Sequence, residues 1–136
     1  MEERSAGAVL FRENDKRFYL LLHYQANHWD FPKGNIEEGE REVDTVRREV
    51  REESSIDDIE LIDGFRMISE YYYKRSNKII HKQVVFYLAK TKQVEVKLSH
   101  EHTDYAWLTY KEALDRLTFV NSKKILQEAE EFLKNY

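Results

Sequence analysis

A chain of 136 residues with only four glycines and one proline has few places where its backbone can turn sharply. Three of those five residues, Pro32, Gly34 and Gly39, fall between positions 32 and 39. Glycine reaches left-handed conformations at little cost and proline fixes φ, so this concentration specifies a sharply bent, particular backbone. A loop of this kind can aim a carbonyl oxygen at a cation, or backbone amides at a phosphate. It leads into a helical stretch from about Glu40 to Glu53, where Glu49, Glu52 and Glu53 stand at i, i+3 and i+4. On a helix turning about 100° per residue, these three carboxylates share one face. Like charges at such spacings repel by roughly a few tenths of a kcal/mol per pair. A hard, oxygen-preferring cation such as Mg²⁺ or Mn²⁺ reverses that penalty.

The competing reading is a solvated, charge-laced helix face. Arg48 and Glu52 pair in the stabilising i, i+4 sense, but Glu49–Glu53 and Arg47–Arg51 are like-charged, which a surface helix tuned for stability avoids. Val43, Val46 and Val50 form a narrow apolar stripe beside the glutamates, which therefore flank a buried seam where a cation can be held. Glu42 lies near the helix N-terminus, where the helix dipole accounts for an acid without any metal.

Elsewhere the pattern alternates between strand and helix. Residues 5–11 and 17–23 read as strands separated by the polar turn Arg12-Glu-Asn-Asp-Lys16. Strand signals return at 59–73 and 79–90, with Arg75-Ser-Asn-Lys78 as a hairpin candidate between them. A short strand at 105–108 precedes two helices, about 110–117 and 122–134, the second capped by Asn121 or Ser122. Ile125, Leu126, Ala129, Phe132 and Leu133 give that last helix an apolar face. Strands in the middle with helices around them predict an α+β fold, a mixed sheet covered on both faces, with 1–136 as a single domain.

The absence of cysteine excludes disulfides, thiolate metal sites and thiol redox motifs. No apolar run approaches the ~20 residues that span a bilayer. The acidic Met-Glu-Glu start is unlike a signal peptide, so the expectation is a cytoplasmic protein with no membrane association. A net charge of −4 offers no basic field, so no stable nucleic-acid partner is expected. His100 and His102 form a His-x-His pair that elsewhere suggests zinc. Two nitrogens flanking an acid make a structural role the better reading here.

The segment Gly34-x5-Glu40-x7-Arg48-Glu49-Val50-x-Glu52-Glu53-x-Ser55-Ile56 resembles the Nudix box, matching every fixed position but one. The departure is Ser55, where the family has a glycine that ends the helix with positive φ. A serine there either keeps the left-handed conformation at a cost of roughly 1 kcal/mol or gives a different turn. Beyond the box, Arg4-Ser-Ala-Gly7, His28-Trp29-Asp-Phe-Pro32-Lys33-Gly34, Gly64-Phe65, Leu98-Ser99-His100-Glu101-His102 and Tyr105-x-Trp107-Leu108 are similar to the asymmetric diadenosine tetraphosphate hydrolases of animal and archaeal type.

The resemblance implies an α/β/α sandwich around a central mixed sheet and a Mg²⁺- or Mn²⁺-dependent hydrolase. It places metal on Glu49, Glu52, Glu53 and the Lys33 carbonyl, with Glu101 as a further ligand or the general base. Glu49 is the other candidate base. Arg48 resembles the residue that orients the box carboxylates, supported by Glu40. His28, Lys33 and Lys82 align with phosphate-contacting positions, and Tyr71 and Phe119 with aromatic rings that sandwich a base. A one-residue shift in register would put Tyr72 or Tyr73 in place of Tyr71. The implied substrate is a small-molecule dinucleoside polyphosphate, diadenosine tetraphosphate cleaved to ATP and AMP, by a monomer or weak dimer. The alternatives are a nucleoside triphosphate pyrophosphatase, an RNA 5′-end pyrophosphohydrolase, or a non-catalytic nucleotide-binding module, although such modules typically lose box glutamates.

Overall fold

The computed structural model describes residues 1–136. Its elements run β1 (Glu2–Glu13), β2 (Arg17–Tyr24), β3 (His28–Asp30), β4 (Lys33–Asn35), α1 (Glu42–Ser54), β5 (Glu60–Arg75), β6 (Lys78–Lys90), β7 (His102–Leu108), α2 (Tyr110–Arg116) and α3 (Val120–Lys134). The strands form one seven-stranded sheet in the order β3-β2-β1-β6-β5, with β4 added to β1 and β7 to β2. The sheet is mixed. β1 runs parallel to β6 from Glu2↔His81 to Phe11↔Lys90, and the other pairings are antiparallel.

The unbroken apolar run of β1 follows from burial on both faces. Because side chains alternate along a strand, Val9 and Phe11 enter one core with Leu21, Phe86 and Leu88, closed by Ala113 of α2 and Ile125, Leu126, Ala129 and Leu133 of α3. Ala6, Ala8 and Leu10 enter the other with Leu20, Leu22 and Val85, closed by Val46 and Val50 of α1. The expected α/β/α layering is therefore present. No helix is long and apolar enough to cross a membrane.

Local chemistry explains most boundaries. Ser76 and Asn77 both take positive φ, at 51° and 65°, as a two-residue type I′ hairpin turn requires. Two short strands, β3 and β4, lie in what the sequence presents as loop. They exist because β2 and β1 offer unpaired edges there, through Leu22↔Asp30 to Tyr24↔His28 and Ser5↔Asn35 to Gly7↔Lys33. The final helix starts earlier than the pattern suggests. Phe119 is its N-cap and neither Asn121 nor Ser122 caps it. The Ser122 hydroxyl instead donates to Asp30 Oδ1 at 2.9 Å. Ser55 ends α1 with φ 65°, so the serine does adopt the left-handed conformation. Its hydroxyl donates to the Lys97 carbonyl at 3.0 Å, which offsets part of that cost.

Glu42, in the first turn of α1, accepts from Arg66 of β5 at 2.9 and 2.8 Å, from Arg4 of β1 at 3.1 Å and from the Tyr87 hydroxyl of β6 at 2.6 Å. The dipole accounts for part of this acid, and the clamp across three strands for the rest. The Arg66 hydrogen bonds, with help from Tyr87 and Arg4, hold its carboxyl down at about 2. A carboxyl depressed on folding stabilises fully above the ordinary carboxylate range, and that stability is lost as pH falls towards 2. Glu42→Gln is expected to cost about 1 kcal/mol at pH 7 and to flatten the acid limb between pH 4.5 and 2, read by thermal melts across that range.

Candidate active site

The bent segment between β3 and α1 works by close approach. The Pro32 carbonyl accepts from Ala8 N–H at 3.1 Å. A Cβ on Gly7 would lie 2.5 Å from that oxygen and 2.6 Å from Lys33 Cβ, so β1 can pass beneath the loop only with glycine there. A Cβ on Gly34 would collide with the Glu49 carboxylate. Glycine at 34 is thus what lets α1 press Glu49 against β4. Gly39, with φ 82°, turns the chain so that the Glu40 carboxylate accepts from Glu37 N–H at 2.9 Å.

Arg48 ties loop to helix. Its guanidinium, only 16% exposed, donates to Glu40 at 2.7 and 3.0 Å, to Glu49 at 2.7 Å and to the Asn35 carbonyl at 2.9 Å, and reaches Glu52 at 3.3 Å and Glu37 at 3.4 Å. These hydrogen bonds hold the Glu40 carboxyl at about 2. The Thr45 hydroxyl also donates to Glu40 at 2.8 Å.

Glu53 lies deeper, with its side chain 8% exposed. It accepts from Lys33 N–H at 3.1 Å, lies 3.8 Å from His102 Nε2 and shares the acidic cleft with Glu49. Burial first, and then the Glu49 charge, push the Glu53 carboxyl well above the ordinary carboxylate range. Burial also raises Glu49. Two half-dry carboxylates close together resist ionising at once. A divalent cation would relieve that penalty. The donors are all hard oxygens, the set Mg²⁺ and Mn²⁺ prefer, and Gly34 leaves a cradle that a side chain would fill. No three acidic or imidazole side chains yet converge on one point closely enough to hold an ion.

A cleft of about 510 Å³ brings together Glu49, Glu53, Glu101, Lys33, Lys82 and Tyr71. Glu52 does not line it. That side chain is 54% exposed and turned onto Arg48. Lys82 is not the solvated strand residue its sequence context allows. It is 15% exposed, with Nζ 3.2 Å from Asn35 Oδ1 and 3.6 Å from Glu3, and burial lowers its pKa.

A second cavity, about 360 Å³, adjoins the first and shares Lys33 and Tyr71 with it. Phe119, Phe86 and Val84 supply apolar walls, and Asp30, Asn121 and Ser122 polar ones. Register decides among the three tyrosines. Tyr71 pairs with Lys82 and faces both cavities, whereas Tyr72 stacks on His81 and the Tyr73 hydroxyl donates to Glu3. His28 lines neither cavity. Its ring stacks on Tyr24 at 4.7 Å and lies 5.1 Å from Phe119, and burial lowers its pKa. His100 and His102 diverge, one exposed and the other buried against Tyr24, so they do not form a metal pair.

Asp30 is the residue that motif reading passes over. Fully buried, it accepts from Phe31 N–H at 2.8 Å and Ser122 at 2.9 Å, and pairs with Lys33 Nζ at 3.2 Å. An acid inside the apolar run Trp29-Asp30-Phe31 was the available signal.

Residues 1–129 match the family described as NUDIX domain. The asymmetrical bis(5′-nucleosyl)-tetraphosphatase of Sus scrofa is 38% identical and that of Mus musculus 35%, each alignment covering 98% of this chain and 97% of the relative. Among solved structures, a Caenorhabditis elegans Ap4A hydrolase binary complex superposes with a TM-score of 0.87 at 28% identity, covering 98% of this chain and 99% of that one.

Gly34→Ala is expected to displace Glu49 from β4 while leaving the fold intact. Isothermal titration should show Mn²⁺ affinity weakened about tenfold or more. Affinity equal to the parent's would contradict the close-approach argument.

Proposed function

The chain belongs to the NUDIX family, and we propose that it hydrolyses dinucleoside polyphosphates, foremost diadenosine tetraphosphate to ATP and AMP. The observation that carries this reading is the junction of two cavities at Lys33 and Tyr71, one acidic and one aromatic. A ligand that fills both has a flat base at one end and several phosphates beyond it. The names of the full-length relatives from pig and mouse support the same substrate.

In this reading Glu49 and Glu53 would hold Mg²⁺ or Mn²⁺ together with the Lys33 carbonyl. Glu52 would add a further oxygen on turning from Arg48, while Glu101 faces the set across the cleft. Bound divalent cations supply charge neutralisation on the polyphosphate and a Lewis acid at the reacting phosphorus. Arg48 keeps Glu49 and Glu40 in fixed rotamers, and so keeps the loop closed on the helix. Lys82 and the Lys33 ammonium meet phosphate oxygens. His28, outside both cavities and packed against Phe119, fits an outer phosphate contact or a support for Phe119. Tyr71 and Phe119, both partly exposed at the cavity mouth, hold the adenine between their rings.

The attacking water must lose a proton as it adds to phosphorus and the bridging P–O bond breaks. Glu101 suits that transfer better than Glu49. The Glu101 carboxylate has no hydrogen-bond or ion-pair partner, whereas Glu49 accepts from Arg48 at 2.7 Å. A base needs a free lone pair at the moment of attack.

The decisive assay incubates the purified protein and Mg²⁺ with diadenosine tetraphosphate, free nucleoside triphosphates and 5′-triphosphorylated RNA, and separates the products. ATP and AMP from the dinucleotide are expected. Pyrophosphate release from triphosphates with the dinucleotide untouched would point to the pyrophosphatase reading instead. Glu53→Gln is expected to lower kcat about 10²-fold or more, and unchanged turnover at saturating Mg²⁺ would remove Glu53 from the metal site.

A further inference from the structure

The segment from Thr91 to Glu101, between β6 and β7, has no helix or strand of its own, yet it delivers Glu101 to the acidic cleft. The Glu101 carboxylate has no partner, so its position is inherited entirely from its backbone. That backbone is tied down at a few points. Lys97 N–H donates to the Ser54 carbonyl at 3.0 Å and Ser99 N–H to the Glu53 carbonyl at 3.4 Å. His102 N–H then donates back to the Ser99 carbonyl at 3.2 Å, which closes a turn with His100 and Glu101 at its corners.

Inside that turn the side chains of its first and last residues meet. Ser99 Oγ lies 3.0 Å from His102 Nδ1 and accepts from Glu101 N–H at 3.3 Å. The His102 side chain is 1% exposed, packed edge-on against Tyr24 with ring centroids 4.5 Å apart. Ser99 Oγ already accepts the Glu101 amide, so its single proton is free to donate to Nδ1. The imidazole then carries its own proton on Nε2, the nitrogen that faces Glu53 Oε1 at 3.8 Å.

We propose that Ser99 and His102 form a latch whose task is to hold Glu101 at a fixed distance from Glu49 and Glu53. The inference rests on the catalytic reading of Glu101 given above and assigns what positions it. The latch is referred to Glu53 through Ser99, whose N–H donates to the Glu53 backbone carbonyl, while His102 is held through Ser99 and its Nε2 lies 3.8 Å from the Glu53 carboxylate, beyond hydrogen-bond distance. The turn and the end of α1 therefore move as one unit, and Glu101 rides on it. Ser99 and His102 are positioning residues and touch no reacting atom. The rigidity of the latch matters because a displacement of about 1 Å at a reacting group can cost a factor near 10² in rate.

The test is a double-mutant cycle on the full chain with diadenosine tetraphosphate and Mg²⁺, after thermal melts establish that each variant is folded. Ser99→Ala should lower kcat roughly 10- to 100-fold while leaving KM within about threefold. In the Glu101→Gln background, Ser99→Ala should add no further loss, because the latch then has nothing left to position. A loss that multiplies in full across the two substitutions would overturn the latch. So would a Ser99→Ala enzyme with parental kcat when Glu101→Gln is impaired, and in that case the role of Glu101 stands. If Glu101→Gln itself turns over at the parental rate, the reading of Glu101 fails and the latch falls with it.

Discussion

One guanidinium holds the acidic helix in working order. Arg48 sits among Glu37, Glu40, Glu49 and Glu52 and also binds the Asn35 carbonyl. Without a cation at its centre, this part of the chain would be a cluster of like charges on a half-buried seam, and the segment from Gly34 to Glu40 would have little reason to fold back on α1. With it, Glu37, Glu40, Glu49 and Glu52 all have a cation beside them. Truncating such a residue leaves several acids uncompensated at once, which is costlier than the loss of any one pair. Glu53 escapes this arrangement because it lies on the inner side, beyond the reach of Arg48, and its hydrogen-bond partner is the Lys33 amide.

The sheet then sets what lies next to this acidic seam. Because side chains alternate, β5 and β6 place Tyr71 and Lys82 on the side of the cleft and Tyr72 with His81 on the other. Meanwhile α3, starting at Val120, brings Phe119 to the rim of the aromatic cavity, and the Ser122 hydroxyl anchors that helix to buried Asp30. Asp30 in turn pairs with Lys33, the residue common to both cavities. A single chain of polar contacts thus joins the start of α3 to the loop that feeds α1.

What the sequence made legible follows from periodicity and spacing. The two-sided sheet, the hairpin at Ser76-Asn77 and the face of α1 all have a repeat or a turn chemistry that needs no tertiary knowledge. The box motif marks Ser55 as the end of the helix but leaves its conformation open, and the structure resolves it as left-handed. Other features depended on what the chain meets in three dimensions. Strands β3 and β4 are three residues each, too short to show a period, and form only because neighbouring strands leave edges open. Asp30, buried at the end of β3, carries no motif of its own. Ser122 has the composition of a helix cap but is claimed by a buried acid. The outward turn of Glu52 and the withdrawal of His28 from both cavities are rotamer and packing outcomes, which residue spacing cannot encode.

The parallel pairing of β1 with β6 joins Glu2–Phe11 to His81–Lys90, the two ends of most of the chain. During synthesis β1 therefore has β2 within reach well before its longest neighbour, β6. Its apolar run from Ala6 to Phe11 stays uncovered on that side until residue 90 has been made. Closing so large a loop is slow relative to forming a hairpin. The late arrival of β6 thus makes assembly of the sheet wait on translation as far as residue 90.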